Sequence, residues 1–303
     1  MNPSRIIWQQ YAPTLVLLGI LVVLATSVFS GDAGDTRSMT IISTINGVFL
    51  VLIGLVAGFL GGIIGTGGCS VMLPAIHFWM GYPASIAIGT TLFAVVFTAI
   101  SGGYGHLVRK NLDVPATLWL GGPGIIGVLL GSWLFTLLTS HVSLLGLILG
   151  LAFLWPAIRM SYEGLGKGAR RKQEGNSIPE HKFGFSIFGF VIGMLTGIVG
   201  LGGGYALVPG LIYLFGAPVY ITMGTSLATM IPLAVVGGAI KMAQGYVAIG
   251  AGLLLAIGTV VGAQVGAAMI KKFKSNTLKL VFGLYFLYVS AKFITGYFGI
   301  MIW

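Results

Sequence analysis

The chain has 303 residues and a net formal charge of +10, and it is 56% hydrophobic but only 7% charged. A soluble domain carries about 25% charged residues, so the composition excludes an ordinary soluble enzyme. The basic excess sits in short connections between apolar runs, as in membrane proteins, which argues against nucleic acid as a partner; the single cysteine, Cys69, excludes an internal disulfide.

The first apolar run, about 13–30, lacks a small-residue cleavage pattern and reads as a retained transmembrane helix within an N-terminal unit, 1–40. No formal charge occurs between Arg37 and Arg109. A helix needs roughly 20 apolar residues to cross a bilayer core, and this run holds more than one. It begins with a helix over about 41–64, followed by GTGGCSVMLP at 65–74. A short helix over about 70–80 comes next. At 1.5 Å per residue it reaches roughly 17 Å, too short to cross. Long helices are predicted over about 84–107, 114–138 and 141–160, which closes a first unit at 41–160. The polar stretch EGLGKGARRKQEGNSIPEHK, 163–182, is the one sizeable loop, so 161–183 is a connecting segment. The second unit, 184–303, repeats the order: a helix over 184–199, GLGGGYALVP at 200–209, a short helix over 205–215, and long helices over about 218–242, 247–271 and 276–297. The expected fold is an all-α polytopic membrane protein. A β-barrel would show weaker, alternating segments.

The two units are copies. At a fixed offset of 135 residues, 19 of the 50 positions 54–103 are identical. The matches include Pro74 with Pro209, Pro83 with Pro218, and the pair Gly89-Thr90 with Gly224-Thr225. Shared prolines and threonines do not follow from glycine-rich composition.

Loop charge sets the orientation. Arg159, Lys167, Arg170, Arg171, Lys172 and Lys182 place the connecting loop in the cytoplasm. Arg109 and Lys110 are then also inside, as are Lys271, Lys272, Lys274 and Lys279 of the second half. Equivalent loops therefore face opposite sides, and the repeats are inverted. The path closes if each first helix and its short partner form a re-entrant hairpin. The N-terminus is then cytoplasmic, and the link with Asp32 and Asp35 lies outside.

Non-helical backbone at membrane depth must line a cavity or be buried in protein. Broken helices in inverted repeats place a midplane site where half-helix N-termini face an anion. Glycine lets a ligand approach bare N–H groups, or serves close helix packing alone. The candidate substrate-binding residues are Gly67, Gly68, Cys69 and Ser70 in the first break and Gly202, Gly203, Gly204 and Tyr205 in the second. Thr90, Thr91, Thr225 and Ser226 join them, with hydroxyls that complete an anion's hydrogen bonds or bond back to their own helix. The spaced glycines at 54, 58 and 62, and at 258, 262 and 266, are packing positions. Cys69 reads as a small buried residue, His77 and His106 as capped or interfacial, and Lys241 as a cation that snorkels to the headgroups or attracts anions. All six acidic residues fall outside the predicted helices of the membrane. No metal cluster, catalytic triad or carboxylate pair suggests itself, so neither a cofactor nor an enzyme is expected.

The segments GIIGTGGCSVMLP and GIVGLGGGYALVP, the GTT and GTS that follow, and the duplication resemble the TauE/SafE family, also called the toluene-sulfonate uptake permease family, over about 46–297. The first repeat departs from the glycine run at Cys69. The resemblance implies a two-halved transporter of sulfite, organosulfonates or similar organic anions. The expected function is export of a small sulfur oxyanion across the plasma membrane. The alternatives are an anion channel and a carrier of other small organic anions. The lipid bilayer and the anion are the expected partners, and a homo-oligomer stays open.

Overall fold

The computed structural model describes residues 3–30, 44–139, 141–166, 177–179, 181–200, 202–270 and 275–299. Asp32, Asp35, Lys271, Lys272, Lys274 and most of the basic connecting loop lie outside these residues.

Eleven α-helices carry the described fold: α1 Pro3–Ser30, α2 Thr44–Ile64, α3 Cys69–Pro74, α4 Ala84–Val108, α5 Val114–Leu138, α6 Val142–Gly164, α7 Lys182–Val199, α8 Gly204–Leu214, α9 Val219–Ala243, α10 Ile249–Met269 and α11 Ser275–Tyr297. α3 runs on as a π-helical turn, Ala75–Trp79. Seven of the helices, α1, α2, α4, α5, α7, α9 and α10, are long and apolar enough to cross a membrane. The molecule is a multi-pass, all-α membrane protein.

Two helix boundaries differ from the sequence reading. α1 starts well before residue 13, with Pro13 inside it. α6 continues past 160 to Gly164 because Arg159 and Glu163, one turn apart, pair at 3.0 Å across its last turn. The Glu163 carboxylate is therefore in a helix and buried, with 5% of its surface exposed.

The halves interlock. Gly54, Gly58 and Gly62 of α2 lie against Leu255, Thr259 and Ala263 of α10. Equivalently, Gly189, Gly193 and Gly197 of α7 lie against Leu120, Gly124 and Val128 of α5. The contacts advance together, so each pair runs parallel. Small residues let the backbones touch, which supplies packing that lipid cannot. By contrast, Gly102 of α4 meets Leu227 of α9 while Gly237 of α9 meets Leu92 of α4. These equivalent helices run antiparallel, and so do α6 and α11, where Gly150 meets Ile294 and Gly164 meets Leu280. α1 stands apart from the duplication and packs on α10 through Leu21, Ala25, Leu253, Ala256 and Val260.

Local bonding recurs at the same 135-residue offset. The Tyr82 N–H donates to the Ile76 carbonyl at 3.1 Å and its equivalent, Ala217, to Leu211 at 2.9 Å. Asn111 and Tyr246 likewise donate to the carbonyls of His106 and Lys241, both at 2.9 Å.

Candidate functional site

Each half breaks its chain after a long helix. Gly65, Gly67 and Gly68 have φ of 80°, 70° and 74°, and Gly200, Gly202 and Gly203 have 69°, 65° and 80°. Side chains with a Cβ pay steric strain in this left-handed region, and glycine does not. The three turns reverse the chain within a few residues. Gly68 then lies against the Ala57 carbonyl. In the second half α8 returns along α7: Gly203 faces Ile192 and Thr196, Gly210 faces Phe188, and Phe215 packs on Phe185 with ring centroids 4.8 Å apart. Each short helix starts at a left-handed glycine cap, Gly68 or Gly203, with no side-chain cap. The first N–H groups of α3 and α8 thus have no partner within their own helix, and the positive ends of both helices point into the breaks.

The two breaks meet at one place. A methyl built on Gly202 would lie 2.6 Å from Met230 Cε and 3.0 Å from Val95 Cγ1. One built on the equivalent Gly67 would run into the same Met230 methyl and lie 3.5 Å from the same Val95 Cγ1. Val95 and Met230 are themselves repeat equivalents, at mid-length on α4 and α9. Gly204 packs on the backbone of Thr66, so the first break touches the second. Cys69 is buried, its Sγ donating to the Thr66 carbonyl at 3.3 Å. Ser70 and Tyr205, equivalent first-turn residues, are both buried, and the Ser70 hydroxyl has no hydrogen-bond partner among the described residues.

The four hydroxyl residues of α4 and α9 divide. Thr90 Oγ1 accepts the N–H of Ala248, the residue that starts α10, at 2.9 Å. Thr225 Oγ1 accepts the N–H of Asp113, the residue that starts α5, also at 2.9 Å. Ala248 and Asp113 are equivalents, so each Gly-Thr pair caps a helix of the opposite half. Asp113 goes further: its Oδ1 accepts the Ala116 N–H at 3.0 Å and its Oδ2 the Ile178 N–H at 2.8 Å, tying the loop to α5. Thr91 donates to the Ala87 carbonyl of its own helix at 2.7 Å. Ser226 instead donates to the Gly65 carbonyl at 2.9 Å, holding the first break to α9.

His106 and His77 each bond backbone through one ring nitrogen: Nε2 of His106 donates to the Gly62 carbonyl at 3.0 Å, and Nδ1 of His77 lies 2.7 Å from the Tyr82 carbonyl. Lys241 departs from the snorkelling expectation. It is fully buried, with Nζ 3.1 Å from the centroid of the Phe135 ring. Its face of α9 turns towards α5, and the aromatic face takes the ammonium in place of headgroups. Among the described residues no group of three or more His, Cys, Asp or Glu side chains is placed to hold a metal.

Sequence reasoning missed Val95 and Met230, because an apolar residue in an apolar helix carries no signal of its own. Only the repeat offset, combined with the breaks' positions, singles them out.

The profile of one family, described as sulfite exporter TauE/SafE, matches residues 50–293. The chain belongs to the TauE/SafE family. Within this family of membrane transporters, it is similar to the probable membrane transporter protein YunE of Bacillus subtilis (strain 168), at 26% identity over 267 residues, covering 82% of this chain and 97% of that one. It is also similar to the probable membrane transporter protein YdhB of the same organism, at 27% over 232 residues, covering 77% and 94%. A shorter match, 28% over 96 residues, reaches the sulfite exporter TauE/SafE family protein 3 of Arabidopsis thaliana, covering 32% of this chain and 20% of that one. No solved structure matches the chain.

Proposed function

We propose that this TauE/SafE protein is a secondary carrier that exports sulfite and small organosulfonates across the plasma membrane, with its N-terminus in the cytoplasm. The observation that carries the reading is the meeting of both glycine breaks on Val95 and Met230. Two helix N-termini with glycine approaches, aimed at one point, form a cage of N–H donors suited to a small oxyanion. The antiparallel α4–α9 and α6–α11 pairs support an inverted repeat, in which the α2–α3 and α7–α8 hairpins re-enter from opposite faces. Cysteines at His141 and Gln244 should then label from outside, and those at Lys110 and Thr277 only after permeabilisation.

Met230 is flexible and can leave the centre when an anion arrives. Side chains filling the space between the breaks favour a carrier over an open channel. Sulfite comes from the family name and from that of the plant relative, and small organosulfonates are added because they share its sulfur-bound oxygens. Counterflow in proteoliposomes tests the reading. Vesicles loaded with unlabelled sulfite or sulfoacetate should accumulate labelled sulfite transiently against its gradient, with saturation. Uptake that is linear in concentration and shows no counterflow would indicate a channel. No uptake of sulfite, sulfoacetate or taurine would remove the substrate class.

A further inference from the structure

The packed set α5, α7 and α9 carries polar groups that its repeat equivalent, α10, α2 and α4, lacks. Lys241 is fully buried and its Nζ has no hydrogen-bond acceptor among the described residues. Ser132 on α5 and Thr196 in the last turn of α7 are 1% and 0% exposed, and neither hydroxyl has a hydrogen-bond partner among the described residues. Contacts link these groups into a track from the second break. A methyl on Gly203 would lie 3.0 Å from Thr196 Oγ1. Gly197, the residue after Thr196, packs on the Ser132 backbone. Phe135, one turn beyond Ser132 on the same face of α5, carries the Lys241 ammonium on its ring.

The repeat supplies an internal control. At the 135-residue offset, Thr196, Ser132 and Phe135 become Gly61, Ala267 and Ile270, and Lys241 becomes His106. There the imidazole Nε2 donates to the Gly62 carbonyl. The same helix pairing is thus built without a cation or the two hydroxyls, so packing does not require them.

A buried cation is costly without a counter-charge. The described acidic side chains at these helix ends are engaged elsewhere: Asp113 holds two backbone N–H groups and Glu163 holds Arg159. The C-terminal end of α9 and the Phe135 face each favour a positive charge. Neither accepts the hydrogen bonds of an ammonium, which has three N–H donors.

We propose that Lys241, Ser132 and Thr196 form an anion-binding post between the second glycine break and the C-terminal end of α9. It takes the three-oxygen face that sulfite and sulfonates share. This assignment deepens the carrier reading and rests on it for the identity of the anion. It makes the two ends of the path unequal: one has a lysine post, and the other has a histidine bonded to the Gly62 carbonyl.

The test uses full-length protein in proteoliposomes, with sulfite as the probe. Lys241→Met should raise the sulfite KM by about tenfold or more, the scale of losing one buried charge partner. Lys241→Arg should stay within about threefold of wild type, because it keeps a cation that can fork onto oxyanion oxygens. S132A/T196V should raise KM with the fold intact. Lys241→Met should melt at the same or a higher temperature, since replacing a buried charge by an apolar side chain of similar size is neutral or stabilising. An unchanged KM in Lys241→Met would overturn the proposal. So would an equal loss in Lys241→Met and Lys241→Arg accompanied by a lower melting temperature, which marks a packing role. A second arm needs no transport: crystals soaked in bromide should show an anomalous peak beside Lys241 in wild type and none in Lys241→Met. That peak in a protein that moves no sulfite or sulfonate would retain the post and discard the carrier reading. No peak in wild type would discard the post.

Discussion

At the scale of single residues, the two halves hold each other by equivalent bonds. Thr90 caps α10 and Thr225 caps α5, each across the repeat boundary. Removing either hydroxyl while keeping the side chain's shape leaves a backbone N–H without its acceptor. Thr90→Val and Thr225→Val should each destabilise the protein by about 1–3 kcal/mol, read as a lower midpoint of denaturant unfolding in detergent. Unchanged stability together with lost anion binding would mean the hydroxyls serve the substrate instead. The glycines of the breaks give a second test. Gly202→Ala forces an alanine into φ near 65°, at roughly 1–2 kcal/mol, and drives its methyl into Met230. Met230→Ala alone leaves a cavity at a cost of about 2–5 kcal/mol. Combined, they relieve each other, so a double-mutant cycle should return a favourable coupling of about 0.5–3 kcal/mol. Additivity would show that the breaks do not meet at Met230.

At the scale of elements, glycine has two jobs that composition alone does not separate. Gly193 of α7 is pressed on the backbone of Gly124 in α5, whereas nothing approaches a methyl built on Gly122. Gly193→Ala should separate the helix pair and cost about 1–3 kcal/mol, the range for overpacking. Gly122→Ala should be neutral or stabilising by up to roughly 1 kcal/mol through helix propensity. Cys69 reports the difference, because the chain's single thiol is fully buried and its alkylation rate follows opening of the core. Gly193→Ala should speed alkylation, and equal rates in both variants would put the seam elsewhere. The long helices, the breaks and the duplication were legible in the sequence because lipid demands apolar length and left-handed turns demand glycine. The partner of each helix was not. That α2 lies on α10, and α7 on α5, depends on which glycine rows face each other across the halves. The tasks of Thr90 and Thr225 were equally hidden, since the N–H groups they accept lie 158 and 112 residues away. Lys241 looked like a surface anchor because its position near a helix end is visible in sequence, but the ring of Phe135 over it is not.

At the scale of the whole molecule, charge decides how export can be driven. Proton-coupled carriers keep an ionisable carboxylate at membrane depth. Here the Glu163 carboxylate in α6 is paired with Arg159, whose guanidinium also stacks over Tyr213 at 4.1 Å. Asp113 is committed to the start of α5. Both carboxylates are engaged in structural contacts. A monovalent anion leaving a cell moves with the inside-negative potential, worth about 2.3 kcal/mol per charge per 100 mV. At 1.4 kcal/mol per factor of ten, that alone supports a roughly fifty-fold outward gradient. On the proposed export reading, this gradient suffices without a coupling ion. In proteoliposomes with potassium and valinomycin fixing the potential and equal pH on both sides, sulfonate efflux should be electrogenic and grow with the imposed inside-negative voltage. A sulfonate is the right probe, because sulfite titrates near neutral pH and can carry its own proton. Arg159→Met would leave Glu163 without its partner inside the helix, and this variant should still export sulfonate with the same voltage dependence if the pair is structural. Efflux that ignores voltage and follows a proton or sodium gradient would overturn the uncoupled mechanism, and loss of that gradient dependence in Glu163→Gln would then place the coupling on Glu163.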